Sequence, residues 1–233
     1  MATDHTALRV RGLRARYDGP DVLHGVDLDV AEGEVAVILG PNGAGKTTML
    51  RAIAGLMPRA QGEVFVRGRA LSGLSTHKRA AAGLGFVPEG RGVFGGLTVR
   101  ENLHLNLRGK PDFGAVFELF PILAERLDQR AGELSGGQQQ MLGIARMVLR
   151  DPAVLVIDEP SLGLAPTLVE RVLDALRAIS AQGRTVLIAE QNAAVALALA
   201  HTGHVLERGR IGMSGPAADL RDDPRVISAY LGG

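Results

Sequence analysis

The sequence predicts an α/β fold: a doubly wound core of buried parallel strands, an N-terminal antiparallel β subdomain and an inserted helical subdomain. Three continuous apolar runs, at 35–39, 154–157 and 186–189, have the character of strands covered on both faces. Between them lie helical patterns at 46–54, at 166–180 with Gly183 just beyond, and at 193–200. Strands that alternate with helices in this way build a parallel sheet.

Ahead of the core, Leu8, Val10, Leu13 and Ala15, then Val26, Leu28 and Val30, mark two half-buried strands. Asp18, Gly19 and Pro20 supply the turn between them, so the opening reads as antiparallel β. From about 91 to 150 no buried strand is legible. There Thr98 and Glu101 have capping-box spacing, and Ser135 can cap a second helix that runs to Leu149. With no linker, repeat or low-complexity tract in its 233 residues, the chain is expected to form one domain spanning 1–233.

Apolar residues make up 46% of the chain, enough for a sizeable core. Lys plus Arg number 26 against 25 Asp plus Glu, so no basic surface for nucleic acid is implied. The chain has no cysteine, which excludes disulfides and thiolate metal sites and fits a reducing cytosol. The first residues lack a signal pattern, and no stretch reaches the ~18 apolar residues that span a bilayer. If the protein works at a membrane, another chain must cross it. His201 and His204 are read as ordinary surface or core histidines, not metal ligands.

Gly40, Pro41, Asn42, Gly43, Ala44, Gly45, Lys46 and Thr47 follow a buried strand and open a helix, with Thr48 next. That is the context of a phosphate loop. Glycines let successive amides turn inward, and the helix N-terminus adds positive potential where phosphate oxygens would sit. Lys46 is expected to reach the β- and γ-phosphates of ATP, and Thr47 to ligate Mg²⁺. At the end of the second buried strand stand Asp158 and Glu159. Asp158 is the expected metal partner and Glu159 the expected general base that polarises water.

Twenty residues before Asp158, the segment Leu134, Ser135, Gly136, Gly137, Gln138 offers a second anion-binding nest at a helix start. With this segment the chain resembles the ATP-binding-cassette (ABC) ATPases, and the resemblance covers nearly all of it. It implies a P-loop NTPase core of the RecA-like kind, a nest that closes on the γ-phosphate of the opposing subunit, and an adenine-stacking role for Tyr17.

Two positions depart from the commonest family pattern. Glu89 stands where Gln usually touches Mg²⁺, and Gln191 stands where a His usually contacts the γ-phosphate. A carboxylate can still approach the metal. An amide can donate a hydrogen bond but cannot titrate near neutrality, so no histidine-like step in hydrolysis is expected from Gln191.

Val87 to Arg91, Ser161 to Pro166, Ala189 to Asn192 and the terminal Ala229 to Gly233 closely resemble the ATPases of branched-chain amino-acid uptake systems. That resemblance implies a peripheral protein on the cytoplasmic side of the cell membrane. Its partners would be a second ATPase subunit, either a longer relative or itself, joined head to tail, together with two membrane permeases. An extracytoplasmic binding protein for leucine, isoleucine and valine would act indirectly, and nucleic acid would play no part. Arg91, Val93, Phe94 and Leu97 are expected permease contacts. Similar ATPases serve urea, short-chain amides and other amino acids. A soluble ABC ATPase would be marked by a coiled-coil insertion, a tandem cassette or a basic stripe. A small-molecule kinase would lack the Ser135 nest.

Overall fold

A computed structural model describes residues 5–90, 92–105, 107, 109 and 111–231. Arg91, Gly232 and Gly233, named above, lie outside the described residues. Strands β1 (Thr6–Arg16) and β2 (Asp21–Ala31) pair antiparallel, and β1 also pairs with β4 (Arg59–Val66), which is flanked by the short β5 (Arg69–Ala70). The buried positions of β1 change parity between Val10 and Leu13. A bulge with Gly12 at φ 58° makes that change and keeps both halves facing inward.

The second sheet has six strands in the order β10-β9-β3-β8-β7-β6. Of these, β6 (Leu84–Val87), β7 (Val154–Asp158), β8 (Thr185–Glu190), β3 (Val35–Leu39) and β9 (Thr202–Glu207) run parallel; β10 (Arg210–Pro216) is the antiparallel edge. Alternate residues of the central strands enter two separate cores. Val35, Val37, Leu39, Leu155, Ile157, Val186 and Ile188 pack on one side. Ala36, Ile38, Val154, Val156, Leu187 and Ala189 pack on the other. Covering on both faces is why these strands read as unbroken apolar runs.

Helix α1 (Lys46–Ala54) fills the space between the two sheets through Met49, Leu50 and Ile53. Helix α2 (Thr76–Ala81) leads into β6. The helical region comprises α3 (Val99–His104), α4 (Gly114–Leu119), α5 (Pro121–Glu125) and α6 (Gly136–Val148), whose buried faces join the first core. Its one β feature among the described residues is an isolated bridge from Thr98 to Arg130. The Thr98–Glu101 capping box is formed, and the predicted helix from Ser135 ends one residue earlier than expected, at Val148. Helices α7 (Pro166–Ala181) and α8 (Ala193–Leu199) cover the same face, and α9 (Ala217–Asp222), α10 (Pro224–Val226) and a π-helical turn (Ile227–Leu231) follow β10.

All of the expected chemical residues of the core follow carboxyl ends of parallel strands: 40–48 after β3, Glu89 after β6, Asp158 and Glu159 at β7, and Gln191 after β8. That edge, near a reversal of strand order, is where open α/β sheets bind ligands.

Candidate functional site

A cleft of about 270 Å³ opens at this edge, lined among others by Pro41, Asn42, Gly43, Gly45, Lys46, Thr47, Thr48, Glu89, Glu159 and Gln191. The loop after β3 bends through Gly43 (φ 82°) and Gly45 (φ 108°), which sets α1 pointing at the cleft. The first intrahelical bond runs from the Met49 N–H to the Gly45 carbonyl at 2.8 Å. No side chain caps α1, so its first amides are left for a ligand. Gly40 does not line the cleft. A Cβ there would stand 2.3 Å from the Leu206 carbonyl oxygen, so the residue is set by close packing against β9. Ala44 also lies behind the lining; its carbonyl accepts the Gly209 N–H.

Lys46 is 5% exposed; its Nζ donates to the Gly40 carbonyl at 2.7 Å and pairs with Glu159 Oε1 at 3.1 Å. Glu159 has left-handed backbone (φ 47°), a conformation that costs a non-glycine residue about 1–2 kcal/mol and ends the strand sharply. Its N–H still bonds the Ala189 carbonyl, while Oε2 accepts the Gln191 N–H at 3.2 Å.

Asp158, 1% exposed, accepts the Thr47 hydroxyl on Oδ1 at 3.2 Å. Its Oδ2 is buried and has no partner. Burial pushes its carboxyl up to about 6; the Thr47 bond opposes this, and the charges of Glu159 and Glu89 add to it. A dication would relieve both the orphaned oxygen and the crowding of three carboxylates. The residues expected to hold Mg²⁺ are therefore chemically suited to it.

Two expected ligand groups stand apart from the cleft. Tyr17, 48% exposed, lies just beyond β1, and Val22 of β2 lines the cleft in its neighbourhood of sequence. None of Leu134, Ser135, Gly136, Gly137 or Gln138 lines it. Ser135 instead heads α6 in a reciprocal cap: its Oγ accepts the Gln138 N–H at 3.4 Å, and Gln138 Oε1 accepts the Ser135 N–H at 3.0 Å. A Cβ on Gly137 would lie 2.5 Å from Leu168 Cδ1, so a larger residue at the start of α6 would require the Leu168 side chain of α7 to move.

Residues 23–162 match the sequence model of the ABC transporter family. The chain belongs to that family. Like its solved members, this ABC ATPase is a nucleotide-binding cassette. It is 43% identical over 223 residues to the high-affinity branched-chain amino acid transport ATP-binding protein BraG of Pseudomonas aeruginosa, covering 93% of this chain and 96% of that one. The fold superposes on the ADP conformation of MJ1267, an ATP-binding cassette of an ABC transporter, with TM-score 0.83 and 26% identity over 98% of this chain and 99% of that one. A dimeric structure of the cassette MJ0796 in a post-hydrolysis state bound to ADP and Pi matches with TM-score 0.79 and 25% identity, over 90% and 98% of the two chains.

The ABC cassette contains site groups that sequence reasoning missed. Val22 and Leu162 line the cleft, and the Arg51 charge weakly opposes the upward shift of Asp158. Arg146 of α6 donates to the Gly92 carbonyl and lies over the Phe94 ring, 4.9 Å from its centroid. Asn102 clamps the same Phe94 backbone from α3, through 2.9 Å and 3.0 Å bonds. These contacts join the loop after Glu89 to the helix that begins at Ser135. No spacing pattern announces them, because they pair side chains with backbone groups and a ring in another segment of the chain.

Proposed function

We propose that the chain is the ATP-hydrolysing subunit of an ABC importer that energises uptake of branched-chain amino acids through partner permeases. The observation that carries this reading is 43% identity across almost the whole length of a branched-chain amino acid transport ATP-binding protein. Residues 1–233 act as one ABC ATPase domain, with 91–150 as the inserted helical subdomain.

In this reading residues 40–48 cradle the phosphates of ATP and Tyr17 stacks on adenine. Asp158, Thr47 and Glu89 would hold Mg²⁺, which when bound neutralises phosphate charge. Lys46 exchanges Glu159 for phosphate oxygens, so the carboxylate is freed to take a proton from water. Gln191 donates toward the γ-phosphate. Phosphoryl transfer leaves little covalent work for protein groups, so the task of these residues is to position and to balance charge.

The separation of 134–138 from the cleft of their own chain supports a two-subunit site. Ser135, Gly136, Gly137 and Gln138 serve the nucleotide of a second ATPase subunit, a longer relative or another copy, docked head to tail. Two permeases complete the membrane assembly, an extracytoplasmic binding protein delivers cargo, and nucleic acid has no role. Among the described residues no helix is long and apolar enough to cross a membrane, in keeping with a peripheral subunit on the cytoplasmic side.

The test is uptake of radiolabelled leucine by cells that carry the chain with its permeases and binding protein. Uptake is expected, and it should vanish with Lys46→Ala. Transport of urea or a short-chain amide in place of leucine would overturn the cargo assignment and leave the ATPase assignment standing.

A further inference from the structure

Glu190 is a buried carboxylate that none of the steps above uses. It ends β8 at 2% exposure, and its two oxygens serve two different loops. Oε1 accepts the Ser161 N–H at 2.9 Å, and Oε2 accepts the Gln191 N–H at 3.2 Å. The Gln191 amide is shared, because Glu159 Oε2 lies 3.2 Å from the same nitrogen. Glu159 in turn meets Lys46 at 3.1 Å. One connected chain of polar groups therefore runs from Lys46 through Glu159, the Gln191 amide and Glu190 to the Ser161 amide.

Burying an acid beside Glu159 is costly for the fold. Desolvation pushes the Glu190 carboxyl up; the Ser161 bonds pull it back, and the Glu159 charge pushes it up again. An apolar residue would avoid this cost but would leave the Ser161 amide without its acceptor and the Gln191 amide with Glu159 alone. Among the described residues, Lys46 and the Gln191 N–H are the side-chain partners of Glu159. Once Lys46 turns to phosphate, the aim of Glu159 depends on where the Gln191 amide stands.

We propose that Glu190 is a positioning residue for ATP hydrolysis: it clamps the Ser161 and Gln191 amides and thereby fixes the aim of Glu159. The proposal rests on the ATPase reading above. It also holds the 159–165 loop, with its exposed Leu162, at a set spacing from Gln191. A shift of the Ser161 loop on contact with a second subunit would thus be felt at the catalytic carboxylate. Glu190 touches no substrate atom in this account; it acts through Gln191 and Glu159.

The experiment compares wild type, Glu190→Gln and Glu190→Ala, each assembled with its permeases. Steady-state ATP hydrolysis, binding of a fluorescent ADP analogue and thermal melting are measured for each. Glu190→Gln is isosteric and keeps one acceptor oxygen, so it can satisfy only one of the two amides. A misplacement near 1 Å costs up to about a hundredfold in rate. Glu190→Gln is expected to lose about tenfold in kcat and Glu190→Ala more, with KM and ADP affinity at wild-type values. Wild-type kcat in both variants, even with a lowered melting temperature, would overturn the proposal and leave a purely structural carboxylate. A loss confined to KM and ADP affinity would overturn it as well. If the wild-type assembly hydrolysed no ATP, the ATPase reading itself would fall and the proposal with it.

Discussion

At the scale of single residues, glycines at the site have two distinct physical causes. Gly43 has positive φ and open space around it, so its freedom serves the curl of the loop. Gly40 has no room for a side chain, since a Cβ would stand 2.3 Å from the Leu206 carbonyl oxygen. Gly40→Ala is therefore expected to lower unfolding free energy by about 1–3 kcal/mol, read as a reduced midpoint in denaturant. The motif as a sequence shows both glycines alike; only the register of β3 against β9 separates them. Lys46, Thr47, Asp158 and Glu159 were legible as a group because loop and acids each follow a buried strand. Glu190 was not, because its partners are backbone amides and leave no mark in residue types.

At the scale of elements, legibility followed burial. Strand β3 and helix α1 match their expected bounds, and β7 and β8 extend theirs by a residue or two, because unbroken apolar runs and defined caps fix them. Strand β4 has five exposed residues at its start, and β10 alternates between partly and fully exposed positions, so neither offers an apolar period to read. Strand β9 carries a pH-sensitive group. His204 is buried, with Nδ1 2.8 Å from Ser214 Oγ and Nε2 without a partner. Burial pushes its pKa below the ordinary value, against the opposing charges of Glu34 and Asp29. In the unfolded chain the ring titrates near 6.5, so below that pH the unfolded state holds the additional proton. The stability contributed by neutral His204 is complete above about pH 6.5 and is lost as pH falls through the lower folded value. In denaturant titrations between about pH 7.5 and 5, His204→Gln should lose less stability than wild type.

The 92–97 loop is held by Asn102 and Arg146, and yet Phe94 is 53% exposed. An anchored, exposed aromatic suits a docking point for a permease. Phe94→Asp places a carboxylate beside Arg146, which keeps the loop's anchor paired. Membrane recruitment is expected to be lost while ATP turnover of the free protein persists, checked by membrane flotation and a phosphate-release assay. Full recruitment of the variant would remove Phe94 from the contact.

At the scale of the whole molecule, one fold carries two candidate half-sites that lie apart. The cleft at the strand ends gathers the phosphate loop and the acids, and the nest at Ser135 lies outside it. Sequence showed both halves, and the family resemblance implied that they serve different subunits; where each lies in this chain is set by how α6 packs against α3, α5 and α7. The proposed ATP-gated head-to-tail dimer would make use of that separation. The most direct measurement is sizing chromatography of Glu159→Gln, with its partner ATPase and permeases available, in excess ATP and magnesium. The account predicts a stable association of two ATPase subunits that dissolves when ATP is withdrawn. ATPase subunits that stay monomeric under those conditions would contradict it.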